Sequence, residues 1–496
     1  MKIKLSRNEF EPPIGSDAAP TEDRVKPRVA RRAFAAMIGL CALLLLAVLA
    51  YERATEVPPQ LPVPENLEKL DPQLRAYIST TIQWVRTAPR AWDRHATLGM
   101  VYAANSLWPE AGLAFSNVVR LDPSEPLARL YVGVSTQESG EFDEALKAFQ
   151  QLTAQFPNFA QGHYRLGEAL LRAGDIEGTE KAFQRLVELA PKEWRGYAGL
   201  GDVRLRKGDH ADAVRWLEKA VQLDWSATRA HHLLGLALRA AGRMQEAELE
   251  LGLGLNAVSF PMPDAWSENA SDHMKLLQDQ LAIADESSQA GQPQKAVKIL
   301  QEALRFHPTN LMVLNNLAIA YNRSGQPQKA RPLLLKLLQS DSHYLPGFIT
   351  LSFTSQLLGA NDDALTFAER ALALAPNTAQ AHVAKANALL AMERDAEAVA
   401  ALEAGFRCDP KNAEIQVELG DVCWRNLNRP AEALEHYQKA VQLNRSFLKA
   451  HLRVAELALE RKDSMEAARA IEMVRKIAPR EPGLAVLENH LQKLSK

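Results

Sequence analysis

Cysteine is scarce in this 496-residue chain, and so are aromatic side chains and any excess of one charge. Three cysteines, Cys41, Cys408 and Cys423, exclude a disulfide scaffold and lack the C-x-x-C spacing of a metal site. Because disulfide geometry is strict, we expect Cys408 and Cys423 to be separately buried thiols. A net charge of −2 without runs of like charge predicts no nucleic-acid partner.

The sequence motifs of common catalytic sites are missing as well. The chain contains no G-x-S-x-G, no H-E-x-x-H and no G-x-x-x-x-G-K-[ST]. The adjacent His231 and His232 would point about 100° apart on a helix, so they cannot chelate one metal ion without help. We therefore expect no enzyme activity, no catalytic residue, no cofactor and no metal.

An uncharged run of 19 residues, Ala33 to Tyr51, is the strongest signal near the N terminus. At about 1.5 Å per residue it nearly spans a bilayer core, which predicts a transmembrane anchor at 33–51. Residues 1–32 are polar and end in a basic cluster, which predicts a disordered cytoplasmic tail. The rest of the chain would then lie outside the cytoplasm, on the periplasmic side of a bacterial inner membrane. The alternative is a cleaved secretory signal and a secreted protein.

Two short segments connect this anchor to the rest of the chain. Several prolines predict an extended spacer over 52–70. A lead-in helix is expected over 71–90, with Asp71 as its cap and Pro72 as its first residue.

A unit of 34 residues repeats along the remaining sequence, and Ala160 to Glu193 is its most regular copy. Apolar residues at helical spacing predict two short helices, joined by a turn at Gly174 and ended by Pro191. Because such a pair cannot bury its apolar face alone, copies must stack. Eleven copies form two blocks, 91–261 and 277–481, separated by an inter-block loop at 262–276 that Trp266 is expected to pack down. Residues 482–496 are expected to form a capping helix.

Each copy carries small residues at two places, an aromatic residue or leucine between them and, in most copies, a closing proline. In the first copy these landmarks are Leu98, Gly99, Tyr102, Ala111, Phe115 and Pro123. The pattern resembles the tetratricopeptide repeat (TPR) family, of a bacterial membrane-anchored type. The resemblance implies an all-α fold, a right-handed α-solenoid of about eleven TPR helix pairs behind the single transmembrane helix. It also implies a concave groove, lined by the first helix of each pair, that binds peptides or partner proteins.

Mapping that groove onto this chain predicts a set of partner-binding residues. In the first block they are Tyr164, Glu168, Arg195, Asp202, Arg206, Arg229, His232 and Arg239, and in the second block they are Asn315, Asn322, Phe353, Asn387, Asp421 and Trp424. The first set is rich in arginine, whereas the second is more apolar and amide-lined. We expect the second block to anchor the partner, with Phe353 and Trp424 as hot spots. The alternative is that these are ordinary solvated residues.

The sequence therefore predicts a membrane-anchored, non-catalytic scaffold for a protein or peptide partner of unknown identity. The same architecture would also suit the docking subunit of an envelope machine for secretion, polysaccharide export or cofactor assembly. An enzyme acting on a sugar or a peptide would need a catalytic domain, for which the segments described above leave no room.

Overall fold

Helices are the only regular elements in the part of the chain that the structure describes. The computed structural model describes residues 59–255, 257 and 261–494, and these contain 25 α-helices, two short 3-10 helices and no strand. The predicted tail at 1–32 and the predicted transmembrane anchor at 33–51 lie outside the described residues. Among the described helices, none combines the length and the apolar character needed to cross a bilayer.

The first eleven helices consist of a single lead-in helix, α1, and five pairs that we number as repeats 1 to 5. A 3-10 turn, Leu67–Lys69, precedes them. The helices are α1 Pro72–Thr87; α2 Trp92–Ala104 and α3 Trp108–Leu121; α4 Pro126–Glu138 and α5 Phe142–Gln155; α6 Ala160–Ala173 and α7 Ile176–Leu189; α8 Trp194–Arg206 and α9 His210–Leu223; α10 Thr228–Ala240 and α11 Met244–Leu253.

The inter-block loop contains a 3-10 turn, Ser267–Asn269, and one helical turn, α12, Ala270–His273. Six further pairs, repeats 6 to 11, and a final helix follow it. They are α13 Leu277–Gln289 and α14 Pro293–Phe306; α15 Leu311–Arg323 and α16 Pro327–Ser340; α17 Leu345–Leu357 and α18 Asn361–Leu374; α19 Ala379–Leu390 and α20 Asp395–Cys408; α21 Ala413–Arg425 and α22 Pro430–Leu443; α23 Leu448–Glu460 and α24 Ser464–Ile477; and α25 Leu484–Leu494.

Repeat 3 shows why the helices begin and end where they do. Gly174 ends α6 in the left-handed region, with φ of +80°, a conformation that residues with a Cβ rarely adopt. The next residue, Asp175, donates its backbone N–H to Leu170 O at 3.0 Å, and its carboxylate accepts from Gly178 N at 2.9 Å. One dipeptide therefore closes the first helix and caps the second.

Helices stack in two layers. In most successive repeats the first helices contact each other, and within each block a second helix contacts its own first helix and that of the next repeat. Among the described helices, the second helices of successive repeats do not contact each other to a comparable extent. This packing produces the expected all-α solenoid, whereas its right-handed sense stays a prediction. We call the exposed side of the first helices the inner face.

The two blocks belong to one compact unit, residues 60–496, and they touch at both ends. Near the start, α1 packs against α14, and Asp71 Oδ2 lies 3.1 Å from His307 Nε2. Near the end, Glu248 of α11 pairs with Arg445, in the turn between repeats 10 and 11. The chain therefore returns to its beginning after repeat 5, and the second block runs alongside the first.

Candidate functional site

The return path of the chain covers part of the first block, over α1 and repeats 1 to 3. The inter-block loop, residues 262–276, passes from repeat 5 back to repeat 1, where α12 contacts α2. Trp266 stacks on Tyr131 of α4 and on Phe115 of α3, with ring centroids 5.6 and 5.8 Å apart. Trp266 thus packs the loop onto two repeats at once.

Asp264 fixes the same part of the loop through polar contacts. Its side chain is 8% exposed, accepts a hydrogen bond from the Tyr131 hydroxyl at 3.0 Å, and accepts from the backbone N–H groups of Trp266 and Ser267. Burial, together with the Asp264 carboxylate, raises the pKa of the Tyr131 hydroxyl. The hydroxyl therefore stays a donor, and the buried carboxylate keeps all three of its hydrogen bonds.

Asn105, which directly follows α2, holds the other end of the loop by its backbone. The Asn105 side chain donates to His273 O at 2.7 Å and accepts from Lys275 N at 2.8 Å. The Asn105 amide thus forms hydrogen bonds with both a backbone carbonyl and a backbone N–H of the inter-block loop. Tyr77 of α1 adds a hydrogen bond of 2.8 Å to His273 Nδ1. The first block therefore binds a segment of its own chain that lies outside the repeats.

The charged residues predicted for the groove of the first block pair with carboxylates of the same block. Because three of the four predicted arginines have an acidic partner, this face presents less free positive charge than its composition suggests. The pairs are Arg229 with Glu168 at 2.9 Å, Arg206 with Asp202 at 2.9 Å, and Arg195 with Glu193 at 2.6 Å. Of the other predicted residues, Tyr164 is only 4% exposed and lines a cleft of about 360 Å³ beside Pro261, His232 is half-buried, and Arg239 is exposed.

Polar groups on the inner face of the second block are less completely satisfied. Asn322 donates its amide to Thr354 Oγ1 at 2.8 Å, but its Oδ1 accepts nothing from the described chain. The Oδ1 of Asn315, roughly two helical turns earlier on the same stripe of α15, is likewise buried without a donor. Phe353 and Asn387 are half-buried, on α17 and α19. Buried acceptors without donors are uncommon in folded proteins, which marks these two amide groups as candidates for a further hydrogen bond.

Repeat 10 adds a cluster around Asp421 and Trp424. The Asp421 carboxylate accepts from the Tyr437 hydroxyl and from Arg453 Nε, both at 2.8 Å. Trp424 is half-buried and meets the Tyr437 ring edge-on, with centroids 6.4 Å apart. Burial raises the pKa of nearby Glu418 to about 7, although Lys449 lowers it in part. The cluster therefore contains the Asp421 carboxylate with its two hydrogen bonds, the half-buried indole of Trp424, and the Glu418 carboxyl group, whose pKa is raised by burial.

Both cysteines in the described chain are free thiols, as predicted, but only Cys423 is buried, whereas Cys408 is half-buried. Burial, followed by the effect of Glu432, raises the pKa of Cys423 to about 11. The Cys423 thiol is therefore protonated at neutral pH and is a poor nucleophile.

Sequence reasoning missed the residues that hold the inter-block loop. Asn105 directly follows the first helix of repeat 1, and Tyr131 lies within the first helix of repeat 2. Neither residue carries a local signal, because the partners Asp264 and His273 lie 133 and 168 positions further along the chain. Only Trp266, an isolated tryptophan in a polar stretch, could be recognised as an anchor.

Comparison with known proteins agrees with the repeat pattern. A tetratricopeptide repeat model matches residues 133–193, 180–228, 383–446 and 425–482, and a second model of that description matches residues 288–344. No curated protein matches the sequence.

Several solved structures are similar to this chain. A thermophilic TPR protein of Thermus thermophilus shares 22% identity over 37% of this chain and 98% of its own, with a TM-score of 0.35. The pilF protein of Pseudomonas aeruginosa shares 18% over 43% and 96%, with a TM-score of 0.33, and yeast Tom70 shares 13% over 82% and 95%, with a TM-score of 0.38. The two repeat models together cover about half of the sequence. The chain belongs to the tetratricopeptide repeat family.

Proposed function

We propose that this protein is a non-catalytic scaffold whose second block binds an extended segment of a partner protein on its inner face. The inter-block loop is the observation that carries the proposal, because it is a segment outside the repeats that the first block already binds through its backbone and through one aromatic ring. Asn105 forms hydrogen bonds with the loop's backbone, and the Tyr131 ring stacks on the ring of Trp266. A partner segment on the second block would use the same kinds of contact.

The second block is the better candidate for this role because its inner face has unused binding groups. Asn315 and Asn322 carry amide oxygens without donors, and Phe353 and Trp424 are partly exposed. In the first block, Phe115, Tyr131 and Asn105 already contact the inter-block loop, and Arg195, Arg206 and Arg229 pair with carboxylates. The partner's apolar side chains would therefore contact Phe353 and Trp424, and its backbone would contact the two asparagines.

We further propose that residues 33–51 anchor the scaffold in a bacterial inner membrane, with the repeats on the periplasmic side. The proposal is supported by the length of this uncharged run and by the basic cluster before it. If the partner belongs to a membrane complex, this protein would act as a docking subunit of an envelope machine. Repeats that are digested from the cytoplasmic side would contradict this orientation.

Site-specific photo-crosslinking in native cells tests the binding face. A photoreactive residue at Phe353 or Trp424 should form an adduct with one partner. The matched control is Leu374, which is 38% exposed on the second helix of the repeat that contains Phe353. We expect no adduct from Leu374, and we expect the double variant Phe353→Ala, Trp424→Ala to weaken the adduct formed from Asn387 about tenfold or more. Equal adducts from Leu374 and Phe353 would refute the proposed binding face.

A further inference from the structure

Three different metal-ligand side chains meet between the two helices of repeat 10. Cys423 comes from α21, and Glu432 and His436 come from α22. The thiol sulfur, a carboxylate oxygen and a ring nitrogen all lie within 4.8 Å of one another. His436 follows Glu432 by four positions, so one helix face presents both, and the antiparallel partner helix brings Cys423 to them.

A second residue holds the histidine ring. His436 Nδ1 lies 2.9 Å from the amide oxygen of Gln416, whose side chain is 1% exposed. Because an amide oxygen accepts hydrogen bonds, Nδ1 carries the hydrogen and Nε2 keeps its lone pair. Histidines that bind metals usually donate their other N–H in this way, which fixes the ring and its tautomer.

Glu432 and His436 are only half-buried, so an ion can reach the cluster from solvent. Arg429 lies on the solvent side of Glu432, with Nη1 at 3.5 Å from Oε2. Glu403 of α20 is exposed and lies near enough to act electrostatically on both Cys423 and His436. Thiolate, imidazole and carboxylate together are the donors that zinc and cobalt(II) accept.

We propose that Cys423, Glu432 and His436 bind one divalent transition-metal ion of the zinc class. Tetrahedral coordination needs donor atoms roughly 3.5 Å apart, so the donors, which lie within 4.8 Å of one another, approach by at most about 1.3 Å on binding. The Cys423 thiol loses its proton to solvent and becomes a metal-bound thiolate. Three protein ligands leave a fourth position for water. The ion joins α21 to α22 beside Trp424, but its binding does not depend on the proposed partner.

Metal titration of the full-length, untagged and metal-stripped chain in detergent tests this site. Cobalt(II) should bind with one ion per chain and produce the near-ultraviolet absorption of a cobalt–thiolate bond, and zinc should displace it. Cys423→Ser should abolish that absorption, and His436→Gln should weaken zinc binding about 100-fold in calorimetry. Gln416→Leu, which removes only the ring's partner, should weaken it about 10-fold to 100-fold.

Two variants serve as matched controls. Cys408→Ser changes the other described thiol, and His490→Gln changes an exposed histidine on α25, so both should bind like the parent. Circular dichroism checks that each variant is folded, and Glu432→Gln, at a half-exposed position, replaces Cys423→Ser if that variant unfolds. Absence of binding, binding without the cobalt–thiolate absorption, or equal affinity in His436→Gln and the parent would each overturn the proposal.

Discussion

The buried ring of Phe183 shows at the residue scale why this repeat tolerates so little change. The ring lies between two glycines of successive first helices, Gly167 of α6 and Gly199 of α8. A Cβ added to Gly167 would meet the ring at 2.8 Å, and one added to Gly199 would meet it at 2.5 Å. Because a helix packs closely against each side of the ring at these glycines, the ring has no free space into which it could move.

We therefore expect Gly167→Ala to destabilise the protein. Alanine favours a helix over glycine by about 1 kcal/mol, but crowding a packed ring costs about 1–3 kcal/mol. The net change should be a loss of about 1 kcal/mol and a lower melting temperature in calorimetry.

Gly112→Ala is the matched control for Gly167→Ala. It is also a helical glycine, but its Cβ would meet only the Ser135 side chain, with the Ser135 Cβ at 3.3 Å. Its melting temperature should stay constant or rise, because the gain in helix propensity is not cancelled. Equal losses in the two variants would show that the Phe183 ring is not the cause.

At the scale of single elements, the inter-block loop differs most from what its sequence suggested. Its prolines and polar residues predicted a connection between blocks, and Trp266 predicted a packing contact. The structure shows that the loop also packs onto repeats 1 and 2, because Asp264 and Trp266 reach Tyr131 and Asn105 binds the loop's backbone. This part of the first block is thus occupied by the chain itself.

Trp266→Ala should release this loop. Removing a stacked indole costs about 2 kcal/mol of packing, which corresponds to about a 30-fold larger equilibrium constant for opening. Hydrogen exchange followed by mass spectrometry should show faster exchange in residues 262–276. Trp84→Ala is the control, because Trp84 is 41% exposed on α1 and its ring lies beneath the Arg94 guanidinium group, away from the loop. Unchanged exchange in Trp266→Ala would mean that other contacts hold the loop.

At the scale of the whole molecule, the contact between the ends of the two blocks determines the arrangement. Glu248 pairs with Arg445, and a Cβ built on Gly252 lies 3.6 Å from the Cβ of Ser446. Repeat 5 therefore lies against the turn between repeats 10 and 11. Exposed ion pairs contribute little to the free energy of unfolding, so the Glu248–Arg445 pair shows where the two blocks meet but stabilises that contact only weakly.

The double variant Gly252→Cys, Ser446→Cys should form a disulfide under mild oxidation. The Cβ separation of 3.6 Å falls within the range of about 3.5–4.5 Å found in disulfides. Mass spectrometry of a protease digest should identify the linked peptides. Each single variant controls for bridges to the native cysteines. If the double variant stays reduced while it remains folded, the two blocks do not meet at this point.

The sequence by itself determined the helix pairs and their family, because helical periodicity and turn residues act over a few positions. The repeat landmarks around Gly167 and Phe183 therefore predicted an all-α stack. Only the tertiary structure decided which part of the first block is covered and where the blocks touch. Those outcomes depend on pairs such as Tyr131 with Asp264 and Glu248 with Arg445, which lie far apart along the chain and leave no local pattern.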